Sequence, residues 1–282
     1  MRRFKVPTLQ HDLQRTRRRR LLVLVLVLVR LALFSLAGVG LQPTFAAADA
    51  QTLLSASDAI RNPGQPFRVT VTLTEFEKST QVNATTLVSY ARALEAGGQF
   101  ASIMRFSLPV RDAGKVMLKS GSDLWFFDPG TKATVRISPQ QRLIGQASNG
   151  DVVTVNFARD YLASIAAEET IQDGERKSRA SFKLKLTPNN PDATYGSIEL
   201  WIDAESHAPL KGRFFADSGR LLKTAYYRKF QNQLGAMRPT ETVIIDGLEP
   251  QSVTLVRLSD YAFRNVPLAW FQRDYLPRFN AD

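Results

Sequence analysis

Cysteine is absent from the 282 residues. No disulfide can form, no thiolate can serve as nucleophile or metal ligand, and no lipid can be attached at a cysteine, so the folded chain must rest on its apolar core. Histidine is almost as scarce. Of the two, His11 lies in the N-terminal segment and His207 stands alone in Asp203-Ala204-Glu205-Ser206-His207-Ala208-Pro209. That run reads as a loop between strands; the competing reading is a metal or general-base site made with Asp203 and Glu205. A histidine-rich zinc centre is excluded, and no serine stands in a nucleophile-elbow motif. Adjacent carboxylates such as Glu168 and Glu169 fall on opposite faces of a strand. The inventory points away from enzymes and implies neither cofactor nor metal. Internal repeats, linkers and the alternation of strand with long helix that a parallel sheet needs are missing too.

The basic charge excludes less than it first suggests. Residues 1–48 hold nine Lys/Arg and one Asp, a net +8, so of the total +11 only 11 − 8 = +3 belongs to the remainder. A mildly basic body gives no argument for nucleic acid. The charge sits instead in an export signal. Arg15 and Arg17 to Arg20 precede the apolar run Leu21 to Val29, Arg30 interrupts it, Leu31 to Leu41 continue it, and Pro43-Thr44-Phe45-Ala46-Ala47-Ala48 supplies the small residues a signal peptidase reads. The rival is a retained anchor, since Leu21 to Leu41 is about the length that spans a bilayer. Arg30 at its centre would cost about 2.5–3.5 kcal/mol, which favours cleavage near Ala48. The expected division is a signal in residues 1–48 and one exported domain in 49–282.

What the body does contain is strand grammar. Phe67, Val69, Val71 and Leu73 alternate with Arg68, Thr70, Thr72 and Thr74, the period of a strand with one dry and one wet face. The pattern recurs through Met104-Phe106-Leu108, Phe182-Leu184-Leu186, Ile198-Leu200-Ile202, Leu221 to Phe230, Arg238 to Asp246 and Val253 to Leu258. About eleven strands, spaced by Gly, Pro, Asn and Asp, predict an antiparallel barrel or sandwich. Helical candidates are residues 50–61, part of 150–168, and Val266 to Phe279. The centre of the chain is an aromatic hairpin, Leu124-Trp125-Phe126-Phe127 turning at Asp128-Pro129-Gly130-Thr131 and returning as Thr134 to Ile137. A polar, glutamine-rich passage, Ser138 to Gly150, follows it. Several strands, Leu124 to Phe127 and Ile198 to Ile202 among them, are apolar on both faces. Such a strand is either covered twice or lines an apolar cavity. Met104, Phe106, Trp125, Phe127 and Trp201 are the candidate cavity lining, and Gln140, Gln141 and Arg142 the candidate partner loop.

Three runs carry a resemblance: Arg136-Ile137-Ser138-Pro139-Gln140-Gln141-Arg142-Leu143, Gly145-Gln146-Ala147-Ser148-Asn149-Gly150-Asp151, and Gly219-Arg220-Leu221-Leu222-Lys223-Thr224-Ala225-Tyr226-Tyr227. With the hairpin Leu124-Trp125-Phe126-Phe127-Asp128-Pro129, they resemble the LolA-like outer membrane lipoprotein-sorting proteins, over about Ala50 to Phe279. The resemblance implies a mostly β fold, an incomplete antiparallel barrel with short helices covering its concave face. It implies a monomeric, non-enzymatic periplasmic carrier for acyl chains of lipoproteins or lipids, working with an inner-membrane exporter and an outer-membrane acceptor. Arg105 and Arg111 are then the candidates for tying a lid to the barrel. The alternative on the same scaffold is a sensor or adaptor that binds a protein partner.

Overall fold

The alternating runs form long strands, and the turns fall where Gly, Pro, Asn and Asp punctuate them. The computed structural model describes residues 47–191 and 193–281; the basic and apolar runs of the expected export signal lie outside them. Helix α1 (Ala47–Arg61) leads into β1 (Phe67–Glu77), β2 (Thr80–Ala93), β3 (Phe100–Leu108), β4 (Val116–Ser120), β5 (Asp123–Asp128) and β6 (Ala133–Arg136). A short hairpin, β7 (Arg142–Ile144) and β8 (Ala147–Ser148), and two single-turn helices, α2 (Asn149–Val152) and α3 (Phe157–Asp160), come next. The chain then returns as β9 (Tyr161–Gln172), β10 (Ser178–Pro188), β11 (Ser197–Asp203), β12 (Pro209–Phe215), β13 (Leu221–Gln233), β14 (Ala236–Asp246) and β15 (Ser252–Phe263). Two 3-10 turns, Leu268–Phe271 and Arg273–Arg278, follow.

Among the described residues thirteen strands form one antiparallel sheet in the order β6-β5-β4-β3-β2-β1-β15-β14-β13-β12-β11-β10-β9. It is an open, curled sheet, an incomplete barrel as expected, with more strands than the sequence pattern gave. One that the pattern missed is β9. Its Ala163, Ala166, Ala167, Glu168 and Glu169 are good helix formers, so residues 150–168 read as partly helical. A full ladder to β10, from Tyr161↔Pro188 to Gln172↔Ser178, overrides that preference.

The order has a consequence for the centre of the chain. The first and last strands pair with each other inside the sheet, Leu73 opposite Val256, so the two edges are β6 and β9. Those two are joined by residues 137–160, which must therefore cross from edge to edge over the inner face.

Both faces of the sheet carry a core. On the inner face Val71, Leu87, Met104, Met117 and Leu124 of β1 to β5, and Ile198, Leu200, Ile244 and Val256 of the other half, pack with Leu54 of α1 and with Ile144, Val152, Val153 and Phe157 of the crossing segment. On the outer face of β2 to β5, Tyr90, Ile103, Leu118 and Phe127 pack under Val266, Phe271, Leu276 and Phe279 of the C-terminal turns. The expectation that residues 50–61 and 266–279 both cover the concave face is corrected for the second. Only α1 lies there; the C-terminal run is a strap on the opposite face, held by Arg92 Nη1 to Val266 O and Tyr90 OH to Ala281 O, each at 3.0 Å.

Candidate functional site

The crossing segment, residues 137–160, is a plug. Its first part is exposed, Gln140, Gln141 and Arg142 included, and then it dives. Gly145 and Gln146 turn between β7 and β8, with Gly145 at φ +52. A Cβ at Gly145 would run into Thr254 Oγ1 and the Glu75 side chain, so the turn needs a residue with neither side chain nor a penalty for the left-handed region. Gln146 N donates to Thr254 Oγ1 at 2.7 Å, which pins the hairpin tip to β15. The far end is pinned as firmly: Asn156 N donates to Gln99 Oε1 at 2.8 Å and Ala158 N to Asp58 Oδ2 at 2.8 Å. Helix α1 is fixed in turn by buried Arg238 of β14, whose Nη1 donates to the carbonyls of Ala59 at 3.0 Å and Ile60 at 2.6 Å. A guanidinium on the last turn of a helix satisfies its free carbonyls and its dipole.

Between plug and sheet lies a cavity of about 150 Å³. Its sheet wall is the inner face of β1 and β12 to β15, including Val69, Val71, Ala225, Tyr227, Ile244 and Leu258; its other wall is Val152, Val153, Val155 and Phe157 of the plug. Between its ends the lining is mainly apolar, with the hydroxyl-bearing Tyr227, Thr242 and Tyr261 among it and with Ser89, whose buried Oγ has no hydrogen-bond partner among the described residues. At one end Arg61 is paired with Asp58 within α1 and stacks over Phe157 at 4.0 Å.

The other end is ionic and buried. Lys223 of β13 is 4% exposed and is ion-paired with Asp151 of the plug. Its ammonium also reaches Ser148 Oγ at 3.3 Å and Gln146 O at 3.4 Å, and lies 4.9 Å from the centre of the Tyr195 ring. Asp151 is fully engaged: Oδ2 accepts from Ser148 N at 2.7 Å and Ser148 Oγ at 2.9 Å, and Oδ1 accepts from Tyr195 OH at 2.6 Å. Burial pulls the Lys223 pKa down against the raising effect of Asp151. Burial foremost, with the charge of Asp151, pushes the Tyr195 phenol well up. The sequence carried one signal for this cluster that composition alone hides. Lys223 occupies the strand parity of Ala225 and Tyr227, the dry face of β13, where a charge needs a partner.

The residues singled out from the sequence do not converge on this cavity. Met104 and Phe106 belong to the same inner-face core but lie outside the cavity lining. Trp125 and Phe127 point to the outer face, where Phe127 packs under the C-terminal strap and Arg273 stacks on Trp125 at 4.5 Å. Trp201 is on the outer face of β11. Its Nε1 donates to Glu169 Oε1 at 2.6 Å, and the ammonium groups of Lys183 and Lys211 each lie 4.9 Å from its ring centre. For β5 and β11 the double apolar pattern thus means two covered faces. Arg105 does tie down a covering segment, but the outer one: Nη1 donates to Asn280 Oδ1 at 3.0 Å. Arg111 sits exposed in a loop turn, 3.6 Å from Asp112. Arg142 reaches Asp246 at 3.2 Å from the exposed start of the plug. The passage Ser138 to Gly150 is accordingly half surface and half core, since Ile144, Ala147, Ser148, Asn149 and Gly150 are buried. His207 lies in the β11–β12 turn, where Asp203 Oδ1 accepts from Ser206 N at 2.8 Å and Glu205 N at 3.2 Å. Asp203 therefore shapes a turn, and among the described residues no group of acidic residues and histidine is placed to hold a metal.

Comparison with known proteins gives the same architecture. A protein-family model described as "Uncharacterized protein" matches residues 98–278. A LolA superfamily protein of Nitrosomonas europaea is 33% identical, with a TM-score of 0.72 over 80% of this chain and 98% of that one. At 18% identity, a DUF1329 family protein of Desulfovibrio piger superposes with a TM-score of 0.69 over 82% of this chain and 98% of that chain. An outer membrane lipoprotein-sorting protein domain of Vibrio parahaemolyticus, also 18% identical, gives 0.67 over 83% and 100%. These last two are likenesses of fold. No curated protein sequence matches the chain.

Proposed function

The chain belongs to the LolA superfamily, and on that premise we propose that it is a periplasmic carrier that binds the acyl chains of a lipid or lipoprotein between its sheet and its plug. The observation that supports this most is the apolar cavity itself, walled on one side by strands and on the other by a separate segment of chain. At about 150 Å³ it matches a cavity that takes up benzene, so a long acyl chain enters only as the plug yields. The plug is suited to yielding. It is joined to the sheet by a few polar anchors, by the Lys223–Asp151 pair and by the side chains of Ile144, Val152, Val153, Val155 and Phe157, and it starts from an exposed, polar stretch.

In this reading residues 1–48 export the chain, and a donor at the inner membrane and an acceptor at the outer membrane engage the exposed start of the plug at Gln140, Gln141 and Arg142. Each methylene buried would contribute about 0.8 kcal/mol, enough for a chain to be held tightly in the closed form and released from an open one. The test is native mass spectrometry of the protein purified from its own periplasm without delipidation, with titration of the delipidated protein by the neutral apolar dye Nile red. Co-purified lipid and saturable dye binding are expected. Protein that carries no lipid and binds no dye would sink the carrier reading and favour an adaptor on the same scaffold.

A further inference from the structure

We propose that Lys223 is the headgroup site of the cavity and that the ligand is an anionic amphiphile, an acyl chain ending in a carboxylate or a phosphate, whose anion takes the place of Asp151. The inference rests on the carrier reading and narrows its ligand.

It follows from where the partners of Lys223 come from. The three groups that accept its hydrogen bonds, Asp151 Oδ2, Ser148 Oγ and Gln146 O, all belong to the plug. Among the described residues the sheet contributes the ring of Phe214, 5.8 Å away, and Tyr195 of the loop before β11 contributes another. When the plug moves aside to admit a chain, Lys223 loses every acceptor at once while its apolar neighbours on β12 to β14 stay in place. Removing one member of a buried ion pair leaves an uncompensated charge, one of the most unfavourable events in a protein interior. A neutral ligand leaves that charge bare. A ligand with an anion at one end restores the pair, and its chain then extends along Ala225, Ile244 and Val256. Arg61 at the opposite end does not make the same demand. Its partner Asp58 sits one turn before it on α1, so the pair stays closed whatever the plug does. Asp151 thus acts as the stand-in anion of the closed form, and the headgroup competes with it.

The experiment is displacement of Nile red by palmitate and by hexadecanol, which share a chain and differ in charge. It is run on the mature protein, on Asp151→Asn, and on Asp151→Asn combined with Lys223→Gln. A parallel arm compares phosphatidate with diacylglycerol, and inorganic phosphate alone controls for an anion without a chain. Asp151→Asn conserves shape, Lys223→Gln removes the charge and keeps a polar end on a shorter stem, and near-UV circular dichroism checks that each variant keeps its packing. Palmitate or phosphatidate should bind about tenfold or more tightly than its neutral partner, the factor expected for a hydrogen-bonded charge. Asp151→Asn should strengthen both ligands, because opening the plug no longer breaks the pair, and should keep the preference for the anion. The double variant should lose the preference. Whichever of the two arms shows the preference identifies carboxylate or phosphate. Equal binding of charged and neutral ligands, or a preference that survives the double variant, overturns the headgroup site and leaves the carrier reading standing. Failure of Nile red and of every amphiphile to bind overturns both.

Discussion

Substituting Ala225 by leucine separates a cavity used for binding from a packing flaw. Ala225 is 3% exposed, lies on β13 opposite Gly212 and Ile244, and lines the cavity. Leucine adds three carbons to a space of about 150 Å³. Burying them contributes at most about 2.4 kcal/mol at about 0.8 per methylene, and imperfect fit costs about 1–3 kcal/mol. The two nearly cancel. Stability should therefore change by about 1–2 kcal/mol in either direction, and for a domain of this size Tm should shift by only about 2–4 °C per kcal/mol. Binding has no such compensation. The leucine takes the place of about three ligand methylenes, so a fluorescent fatty-acid probe should lose about fifty-fold in affinity. The control is Thr224→Leu, next door on the same strand but on its outer face. Scanning calorimetry and probe titration on both variants decide the matter. If Ala225→Leu folds and still binds like the parent, or if Thr224→Leu is equally impaired, the cavity is not where the ligand goes.

Four further outcomes are expected. Burial raises the phenol pKa of Tyr161, Tyr195 and Tyr227, and that of Tyr261 to about 12. Above pH about 10 the unfolded chain gives up these protons first, the native state binds more of them, and stability falls as pH rises; lowered Lys223 works in the opposite sense but is outnumbered. Tyrosinate absorbance should appear in step with cooperative unfolding, and a smooth titration of all seven tyrosines in a chain that stays folded would contradict this. Gly145→Ala puts a side chain at positive φ against Thr254, at a cost of about 1–3 kcal/mol, and hydrogen exchange should rise across the plug more than elsewhere. Phe271→Ala, in the strap, should cost about 3–5 kcal/mol in urea melts while probe affinity, read on the other face, stays as it was. Replacing Gln140, Gln141 and Arg142 together by alanine removes one exposed ion pair worth about 0–1 kcal/mol. Tm should hardly move while transfer to a partner fails, and a large fall in Tm with normal transfer would make the segment structural.

The sheet was readable in the sequence because its strands are amphipathic in a simple way. Phe67 to Thr74 alternates strictly, and the structure buries Phe67, Val69, Val71 and Leu73. Strand β9 was hidden because an edge strand needs only one dry face and its exposed positions are free to hold helix formers. The face of each aromatic was not readable either. Trp125 and Phe126 are neighbours of similar character, and which one looks inward depends on the C-terminal strap, a segment far away in the chain. The ionic end of the cavity was the least legible part. Lys223 and Asp151 come together only because residues 137–160 have to bridge the two sheet edges, a demand of topology that no local pattern encodes.

The pairing of β1 with β15 also divides the molecule in time. On each side of that seam every strand pairs only with its sequence neighbours, so β1 to β6 and β9 to β15 are two runs of hairpins built from short-range contacts that form quickly. The seam joins residues near the start of the domain to residues near its end, and loop-closure entropy must be met before it forms. Folding should therefore proceed as two half-sheets that dock late, with the plug stretched between their outer edges and the binding space appearing last of all. The seam's outer ends already touch, Arg264 N donating to Pro66 O at 3.1 Å. A circular permutant that joins the two ends of the domain by a flexible linker and opens the chain in a turn elsewhere closes that seam with a shorter loop, and should refold faster than the natural order.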